Sequence, residues 1–473
     1  MVCIDLGQER VYYTPLFGFD KSKIKRDHPI ISLLKGFIKT IKKKKTSPKN
    51  KLAPLIIPRA EHTISRSAIH RNALKVLYRL NEAGFDAYLV GGCVRDLLLG
   101  YTPKDFDIAT NARPEEIRRL FKNCRLIGKR FRLAHILFGQ DVIEVATFRT
   151  HHENAQEAQG KSRHGMIVRD NVYGTIEDDV IRRDFRINAL YYNIADYSIV
   201  DFVGGMQDIK EKMLHLIGDP AKRFHEDPVR LLRAVRFLAK LNINITKETE
   251  EPLMTLSHLL NNVSAARLFQ EVLKIFQSGA TLATIHLLQK YQLMSKLFIY
   301  STASKTLLDV ALSNTDKRIH EGKTASPAFL FTVILWHSVL EQVTQIEQSG
   351  MPTYLAIEKA LQTILKQQTE RLTIPRLMQL SIREICLLQH RLTYRRGKHP
   401  YRLLEHPRFR AGYDLLLLRA QTGEPVQELA TWWQQFYSST PEQREKMLHE
   451  IQRAAQPKKR KNRSKKSNVA YTQ

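Results

Sequence analysis

The sequence predicts an α+β protein in which a small mixed sheet, at about residues 85–205, precedes an all-helical region that ends near residue 450. Two patterns support this division. Short segments with strand-like alternation and glycine turns recur as far as Ile194, whereas from about Gly204 the apolar residues follow helical spacing, enough for seven or more helices. The folded region should end before residues 457–466, because that basic stretch contains nothing that could form a core.

Composition limits the classes of function. The chain has 473 residues, enough for two to four domains, and its net charge of +28 suits a polyanion, although an anionic membrane surface would fit as well. The four cysteines lack CxxC or metal-ligand spacing, which indicates reduced thiols, and no apolar run reaches membrane-spanning length. We expect a cytoplasmic, monomeric protein without integral membrane association.

The two ends of the chain are basic. Residues 1–60 lack the long apolar segment and cleavage site of a secretory signal. Residues 29–41 could form a short amphipathic helix for a membrane or a partner, but a mobile solvated arm is the favoured interpretation. At the other end, residues 451–473 include PKKRKNRSKK, which predicts a disordered cationic tail.

The stretch around which the chain is organised is Tyr88–Thr110, YLVGGCVRDLLLGYTPKDFDIAT. An amphipathic helix at 65–82 should pack on the sheet, just ahead of a short buried strand at 87–90. The pair Gly91-Gly92 then lets the backbone turn where a Cβ would obstruct it. A short helix should follow, and its start offers free N–H groups to an anion.

Two aspartates follow on the next predicted strand, DFDIA. Side chains alternate along a strand, so Asp105 and Asp107 should share one face while Phe106 and Ile108 share the other. Two carboxylates side by side repel each other unless cations lie between them. GG or DxD alone is more typical of a turn or a solvated strand end, but GGxxRD followed by DxD is far more specific.

With these residues the chain resembles the class II nucleotidyltransferases, meaning the bacterial poly(A) polymerases and the CCA-adding tRNA enzymes. Both carry the glycine pair, the Arg95-Asp96 dipeptide and the double aspartate. The resemblance implies a nucleotidyltransferase palm followed by a helical neck, body and tail, with the glycine pair at the nucleotide. It also implies that Asp105 and Asp107 are catalytic and hold two Mg²⁺ ions, and that ATP is the substrate.

The rest of the sheet region is predicted from its periodicity and turn residues. Thr110 or Asn111 should cap the helix predicted at 114–122. Alternation places Glu144 on the strand face opposite Ile143 and Val145. The predicted segments are a helix at 114–122, strands at 133–138 and 142–148, a polar loop at 151–165, a helix at 176–183 and a strand at 185–194.

Nucleotidyl transfer usually needs a third carboxylate, and two candidates stay open. Asp184 lies in RRDFRINALYY, which resembles the second signature of the family and implies a catalytic role, so it is preferred. Glu144 is the reserve candidate, since its strand should neighbour the DFD strand. An ion pair of Asp184 with Arg182 or Arg183 is the structural alternative. Arg95 and Arg183 suit a triphosphate or ribose, because a guanidinium stays charged and binds phosphate oxygens in pairs.

The segment RFHEDPVRLLRAVRFLAK predicts a helix with Asp227 as its N-cap and Pro228 at its first position. Arginines recur at intervals of three, at Arg230, Arg233 and Arg236. The segment resembles the EDxxRxxRxxR motif of class II enzymes, which implies that Asp227 and Arg230 recognise the incoming base and that the series binds the nucleotide. A cap and a basic solvent-facing helix would explain each of these residues singly.

One stretch separates the two families. LIGKRFRLAHI, at 126–136, resembles the signature that distinguishes bacterial poly(A) polymerases, and segments 317–336 and 401–420 look like their C-terminal region. The resemblance implies Mg²⁺-dependent transfer of AMP from ATP to RNA 3′-hydroxyls, without a template and with release of pyrophosphate, in RNA processing and decay. The alternatives are a CCA-adding enzyme and a non-catalytic RNA-binding protein on the same scaffold.

The expected domains are a basic arm at 1–60, a nucleotidyltransferase head at 61–205, a base-recognising neck at 206–290, an RNA-binding body at 291–450 and the tail. Expected partners are RNA 3′ ends and the RNA-decay machinery. Body residues that suit RNA contacts, or equally a helical core with a charged rim, are Tyr401, Arg402, Arg408, Phe409 and Arg410. Tail residues expected to bind RNA are Lys458, Lys459, Arg460, Lys461, Arg463, Lys465 and Lys466.

Overall fold

The computed structural model describes residues 2–5, 10–13, 53–128, 132–150 and 172–454. The chain divides into two units, residues 1–53 and residues 54–473. In the first unit, strands β1 (Val2–Asp5) and β2 (Arg10–Tyr13) pair antiparallel, an element that the sequence analysis did not predict. The amphipathic helix predicted at residues 29–41, the polar loop predicted at 151–165 and residues 455–473 of the predicted tail lie outside the described residues. Residues 451–454, predicted to be part of the disordered tail, instead belong to the helix Pro441–Ala454.

The second unit contains the predicted mixed sheet, which has eight strands in the order β3-β10-β9-β4-β5-β8-β7-β6. Strands β5 and β8 run parallel and the other neighbours run antiparallel. Because β3 joins this sheet, the predicted domain boundary at residue 61 falls inside the unit. The strands are β3 Leu55–Ile57, β4 Ala87–Val90, β5 Asp107–Thr110, β6 Cys124–Ile127, β7 Leu133–Phe138, β8 Asp141–Thr147, β9 Leu190–Asn193 and β10 Ile199–Asp201.

Four short helices accompany the strands of this sheet. The first, α1, buries the apolar stripe that its period predicts, but it begins at Arg71 instead of Ser65. The reason is local: Arg66–Ala68 forms a 3₁₀ turn, in which the Ser65 hydroxyl accepts the Ser67 N–H at 3.3 Å. The helices are α1 Arg71–Glu82, α2 Gly92–Leu98, α3 Pro114–Leu120 and α4 Ile176–Arg182.

Two further boundaries differ from the sequence prediction. Helix α3 is capped at Arg113, not at Thr110 or Asn111, because the Arg113 N–H donates to Glu116 Oε2 at 2.7 Å. The predicted strand at 185–194 is split, since Arg186–Asn188 forms a 3₁₀ turn before β9 begins.

From Gly205 onward the described chain is helical, apart from two short strands, β11 (Met213–Leu214) and β12 (Asn244–Ile245), which pair in parallel. The predicted fold class, a mixed sheet followed by helices, is confirmed. The helices are α5 Gly205–Glu211, α6 Pro220–Glu226, α7 Val229–Leu241, α8 Lys247–Thr255, α9 Ala265–Phe276, α10 Thr281–Lys290, α11 Met294–Leu297, α12 Lys305–His320, α13 Pro327–Glu347, α14 Thr353–Arg371, α15 Arg376–Arg391, α16 His399–Leu404, α17 Phe409–Gln421, α18 Gln427–Ser438 and α19 Pro441–Ala454.

Strand alternation gives the sheet two apolar faces. Leu89 and Ile108 belong to the larger core, together with the buried side of α1, while Val90 and Ala109 belong to a second cluster on the opposite face. The helical region has its own core, which begins with Phe185 and extends to α17.

Helix α13 is the most apolar helix of that core. Among the described residues it is the one helix long and apolar enough to cross a membrane, so the prediction that no apolar run reaches such a length is wrong. Ten of its side chains are buried, and it packs against α14 and α15. A helix covered by neighbours is apolar on most sides, and this burial accounts for its composition.

Candidate active site

A cleft of about 1470 Å³ opens between the carboxylate-bearing edge of the sheet and the helical region. Helix α7 forms one wall, and the segment between α9 and α10, with the end of α12, forms another. The cleft is lined by every residue predicted for catalysis, metal binding or nucleotide binding: Gly91, Gly92, Arg95, Asp105, Asp107, Glu144, Arg183, Asp184, Asp227, Arg230, Arg233 and Arg236.

The glycine pair turns the chain from β4 into α2. Gly91 has φ 75° and ψ −131°, a conformation that residues with a Cβ rarely adopt. A Cβ built at Gly91 would lie 3.5 Å from Arg183 Nη1, and one at Gly92 would lie 3.5 Å from Arg95 Nη2. Both distances are ordinary van der Waals contacts, so glycine is required at position 91 by its positive φ and not by lack of space.

Three carboxylates form the acidic part of the cleft. Asp107 in β5 is in register with Glu144 in the parallel strand β8. The Asp107 residue is exposed to the cleft, but the surrounding protein still desolvates its carboxyl and raises the pKa to about 6. The charges of Glu144 and Asp105 act in the same direction and that of Arg183 opposes them. Strand β5 begins only at Asp107, so Asp105 lies just before it, but the predicted alternation holds: both aspartates are exposed and line the cleft, while Phe106 and Ile108 are buried in one core cluster.

His135 is a cleft residue that the sequence analysis did not assign. It lies in β7, directly in register with Glu144, and its Nε2 is 3.1 Å from Glu144 Oε1. The signal was present in the sequence, since His135 belongs to the distinguishing stretch LIGKRFRLAHI and alternates with the buried residues Ala134 and Ile136.

The Asp184 carboxylate is occupied by donors from the protein itself. Its Oδ1 accepts the Phe185 N–H at 2.8 Å and Asn188 Nδ2 at 3.1 Å, and its Oδ2 accepts Arg233 Nε at 2.7 Å. Burial opposes ionisation, but Arg233 and these hydrogen bonds outweigh it and hold the pKa of Asp184 well below its usual range. Among the described residues, no group of three His, Cys, Asp or Glu side chains is arranged as a metal site.

The alternative considered for Asp184, an ion pair with Arg182 or Arg183, is not formed, because both arginines pair with Asp179. Asp179 in α4 is fully buried and accepts from Arg182 and from Arg183, whose Nη2 lies 2.9 Å away. The Tyr191 hydroxyl also donates to Asp179, at 2.7 Å. Asp179 thus holds both arginines in place, a role that no motif in the sequence indicates.

Helix α7 begins one residue later than predicted. Asp227 is the C-cap of α6, and Pro228 is the N-cap of α7. The Asp227 carboxylate still receives the Val229 N–H at 3.3 Å, and its Oδ2 also accepts Arg267 Nη2 at 2.7 Å. The base-edge candidate Arg230 is buried and donates to the Arg223 carbonyl at 2.7 Å.

The arginines of the cleft differ in their partners. Arg95 donates to Asp96 and Asn188, and Arg233 pairs with Asp184. Arg236 is different: it lies 4.7 Å from the Phe237 ring centroid, and its buried Nε has no hydrogen-bond partner in the part of the chain that the structure describes. Burial, and the neighbouring charge of Arg233, lower the pKa of Arg236 to about 10. This guanidinium is therefore suited to an anionic ligand.

Two of the body residues proposed for RNA contacts are structural. Phe409 is only 4% exposed and packs 5.6 Å from Trp433, and the Tyr401 ring packs against Phe436. The alternative of a helical core with a charged rim is therefore the correct description of these two aromatic residues.

Comparison with known proteins identifies the family to which the chain belongs. Residues 87–215 match the Poly A polymerase head domain, residues 242–302 match the probable RNA and SrmB-binding site of polymerase A, and residues 349–467 match the polymerase A arginine-rich C-terminus. Poly(A) polymerase I of Salmonella typhimurium is 48% identical over 426 residues, covering 87% of this chain and 92% of that protein. The chain belongs to the bacterial poly(A) polymerases. The Haemophilus influenzae relative is 46% identical over 86% of the chain and 93% of its own length.

The polymerase is more distant from the CCA-adding enzymes. That of Lactobacillus helveticus is 39% identical, but over only 43% of this chain and 49% of its own length. A solved tRNA-processing enzyme, in apo form I, has a TM-score of 0.56 at 23% identity, covering 83% of this chain and 98% of that one. These structures share the fold. The predicted family, the fold class and the activity of a template-independent polynucleotide adenylyltransferase are thereby confirmed.

Proposed function

We propose that the polymerase transfers AMP from ATP to the 3′-hydroxyl of RNA inside the cleft, with Asp105, Asp107 and Glu144 as the carboxylates that hold two Mg²⁺ ions. The 3′-oxygen forms a bond to the α-phosphorus, the bond to the leaving pyrophosphate breaks, and the hydroxyl proton is lost. The observation that carries the proposal is the register of Asp107 with Glu144, next to Asp105.

The chemistry of the donor set fits hard cations, although no three such side chains in the described part of the chain are already arranged as a metal site. Carboxylate oxygens are preferred ligands of Mg²⁺. The raised pKa of Asp107 comes first from desolvation and then from the charges of Glu144 and Asp105, and a bound cation would relieve that repulsion. When bound, such ions neutralise phosphate charge and activate the attacking hydroxyl. We therefore assign the third metal carboxylate to Glu144 and not to Asp184, whose two oxygens already accept hydrogen bonds from the protein.

The arginines bind and orient the nucleotide. Arg236 and Arg183 supply positive charge for the triphosphate, and Arg236 is the better placed because its Nε has no partner among the described residues. Asp184 is a positioning residue, since it holds the Arg233 guanidinium at the cleft wall. Arg95 shapes the same wall through Asp96 and Asn188.

The start of α7 reads the base. Adenine presents an amino donor beside a ring-nitrogen acceptor, and a carboxylate with a guanidinium complements that edge. Asp227 and Arg230, both at the cleft, supply these two groups. Cytosine presents the same donor–acceptor pair, so these two residues alone reject guanine and uracil and leave the choice between ATP and CTP to the shape of the cleft.

RNA is held mainly through its phosphates by the basic body and by the tail residues 458–466, so that varied 3′ ends are accepted. We place the enzyme in the cytoplasm, in RNA processing and decay. The deciding experiment incubates purified protein and a labelled oligoribonucleotide with each NTP in turn. A ladder with ATP alone is expected, and addition restricted to C, C and A on tRNA would contradict the proposal.

A further inference from the structure

An exposed aromatic and basic surface lies far along the chain from the cleft residues. Residues 385–404 contain no Asp or Glu but five Lys or Arg. At the end of α15 and the turn that follows, Tyr394 is 64% exposed, and Arg396, Lys398 and Arg402 are exposed as well. We call these four residues the Tyr394 surface. None of them lines the cleft.

The backbone under the Tyr394 surface is held in place. The buried Trp433 donates its Nε1 to the Leu392 carbonyl at 2.8 Å, and His399 Nε2 lies 3.2 Å from the Arg391 carbonyl. The Tyr394 ring stands edge-on to His399, with centroids 6.0 Å apart. Tyr394 is thus presented to solvent on a rigid support, which reduces the entropy lost when a ligand stacks on it.

The cations beside Tyr394 are available for a ligand. Arg395 is not, because it pairs with Glu428 at 3.0 Å and lies over the Trp432 ring. Within the described residues, by contrast, Arg396, Lys398 and Arg402 form no ion pair. An exposed ring followed in the chain by cations without ion pairs, within a stretch 385–404 that contains no Asp or Glu, is complementary to a flexible polyanion that carries flat rings.

We infer that the Tyr394 surface binds single-stranded RNA upstream of the 3′ end, with a base stacked on Tyr394 and phosphates on Arg396 and Lys398. Stacking on an aromatic ring accepts every base, as a tailing enzyme requires, and phosphate contacts carry no sequence information. The inference rests on the proposed function only in taking RNA as the substrate.

The test compares two oligoadenylates in equilibrium binding without ATP. One has about 20 nucleotides and the other about 6, since a strand-binding site takes roughly 4–16 nucleotides and the longer strand has length left for a second site beside the cleft. Tyr394→Ala should weaken binding of the longer RNA by at least about fivefold and leave the shorter unchanged. Tyr394→Phe, which keeps the ring, should bind both RNAs as the wild type does.

Charge is tested separately. The double variant Arg396→Gln/Lys398→Gln should lower the slope of log affinity against log salt by about 1.4, or 0.7 for each lost phosphate contact. Arg71→Gln/Lys122→Gln removes the same charges from exposed positions on the sheet-bearing region and should keep the wild-type slope.

Wild-type affinity of Tyr394→Ala for the longer RNA overturns the inference, and so does an equal change of slope in both double variants. Loss of binding to anionic vesicles with unchanged RNA affinity would also overturn it and assign the surface to a membrane. Extension of the short primer stays normal in these variants if the inference is right. Failure of the proposed function would be seen in a different measurement, namely AMP addition by an Asp107→Asn variant.

Discussion

Substituting Glu144 and Asp184 in separate variants should distinguish a carboxylate that binds metal from one that stabilises the fold. Glu144 is 47% exposed and repels Asp107, so Glu144→Gln should leave the melting temperature unchanged or slightly higher. Its kcat should fall by about 10²–10³-fold, the loss typical when one electrostatic stabiliser of a transition state is removed. KM for RNA should barely change.

Asp184→Asn should behave in the opposite way. It leaves Arg233 unpaired in a site where the Asp184 side chain is 11% exposed and the Arg233 side chain 30% exposed. Removing one partner of a fully buried pair costs about 3–5 kcal/mol, and the exposure of Arg233 lowers our value to about 2–3 kcal/mol. The melting temperature should fall by roughly 4–8 °C, while kcat of the folded enzyme should change less than about tenfold.

The assay is steady-state extension of a labelled oligoribonucleotide, combined with thermal melts of the same preparations. A matched control is the double variant Asp184→Asn/Arg233→Gln, which removes the orphaned charge and should recover part of the lost stability. If Asp184→Asn instead has a native melting temperature and loses as much kcat as Glu144→Gln, the assignment of the third carboxylate to Glu144 is refuted.

Three further predictions concern the acidic group and the tail. Asp105→Asn and Asp107→Asn should each abolish tailing with RNA affinity and melting temperature intact, and activity within tenfold of wild type in either would exclude the two-metal site. His135→Gln should raise the Mg²⁺ concentration for half-maximal activity about tenfold, through loss of its contact with Glu144, and an unchanged titration would show that His135 does not orient that carboxylate. Removing residues 457–473 should flatten the salt dependence of RNA binding, by roughly 0.7 per lost phosphate contact, and raise KM for RNA but not for ATP; an unchanged slope with wild-type KM would show an inert tail.

Patterns within a few residues were sufficient for much of the active site. Two adjacent glycines predicted the turn before α2, and Gly91 has the positive φ that such a turn requires. Alternation predicted that Glu144 faces away from Ile143 and Val145, and both of those residues are buried. Period, turns and alternation are local properties of the chain, so the sequence carries them directly.

The partners of charged groups were decided by the tertiary structure. Asp184 pairs with Arg233, which lies 49 positions further along the chain in α7. Asp179 pairs with Arg182 and Arg183, the two arginines that the sequence analysis considered as partners of Asp184. Phe409 and Tyr394 lie 15 positions apart in similar basic surroundings, yet Phe409 is 4% exposed and Tyr394 is 64% exposed. Sequence by itself determined the family, the fold class and the motif residues that line the cleft, but not His135. Which of those side chains stay free for a ligand depends on contacts between distant segments, because a carboxylate or guanidinium has few hydrogen-bonding positions and the folded chain decides which are already occupied.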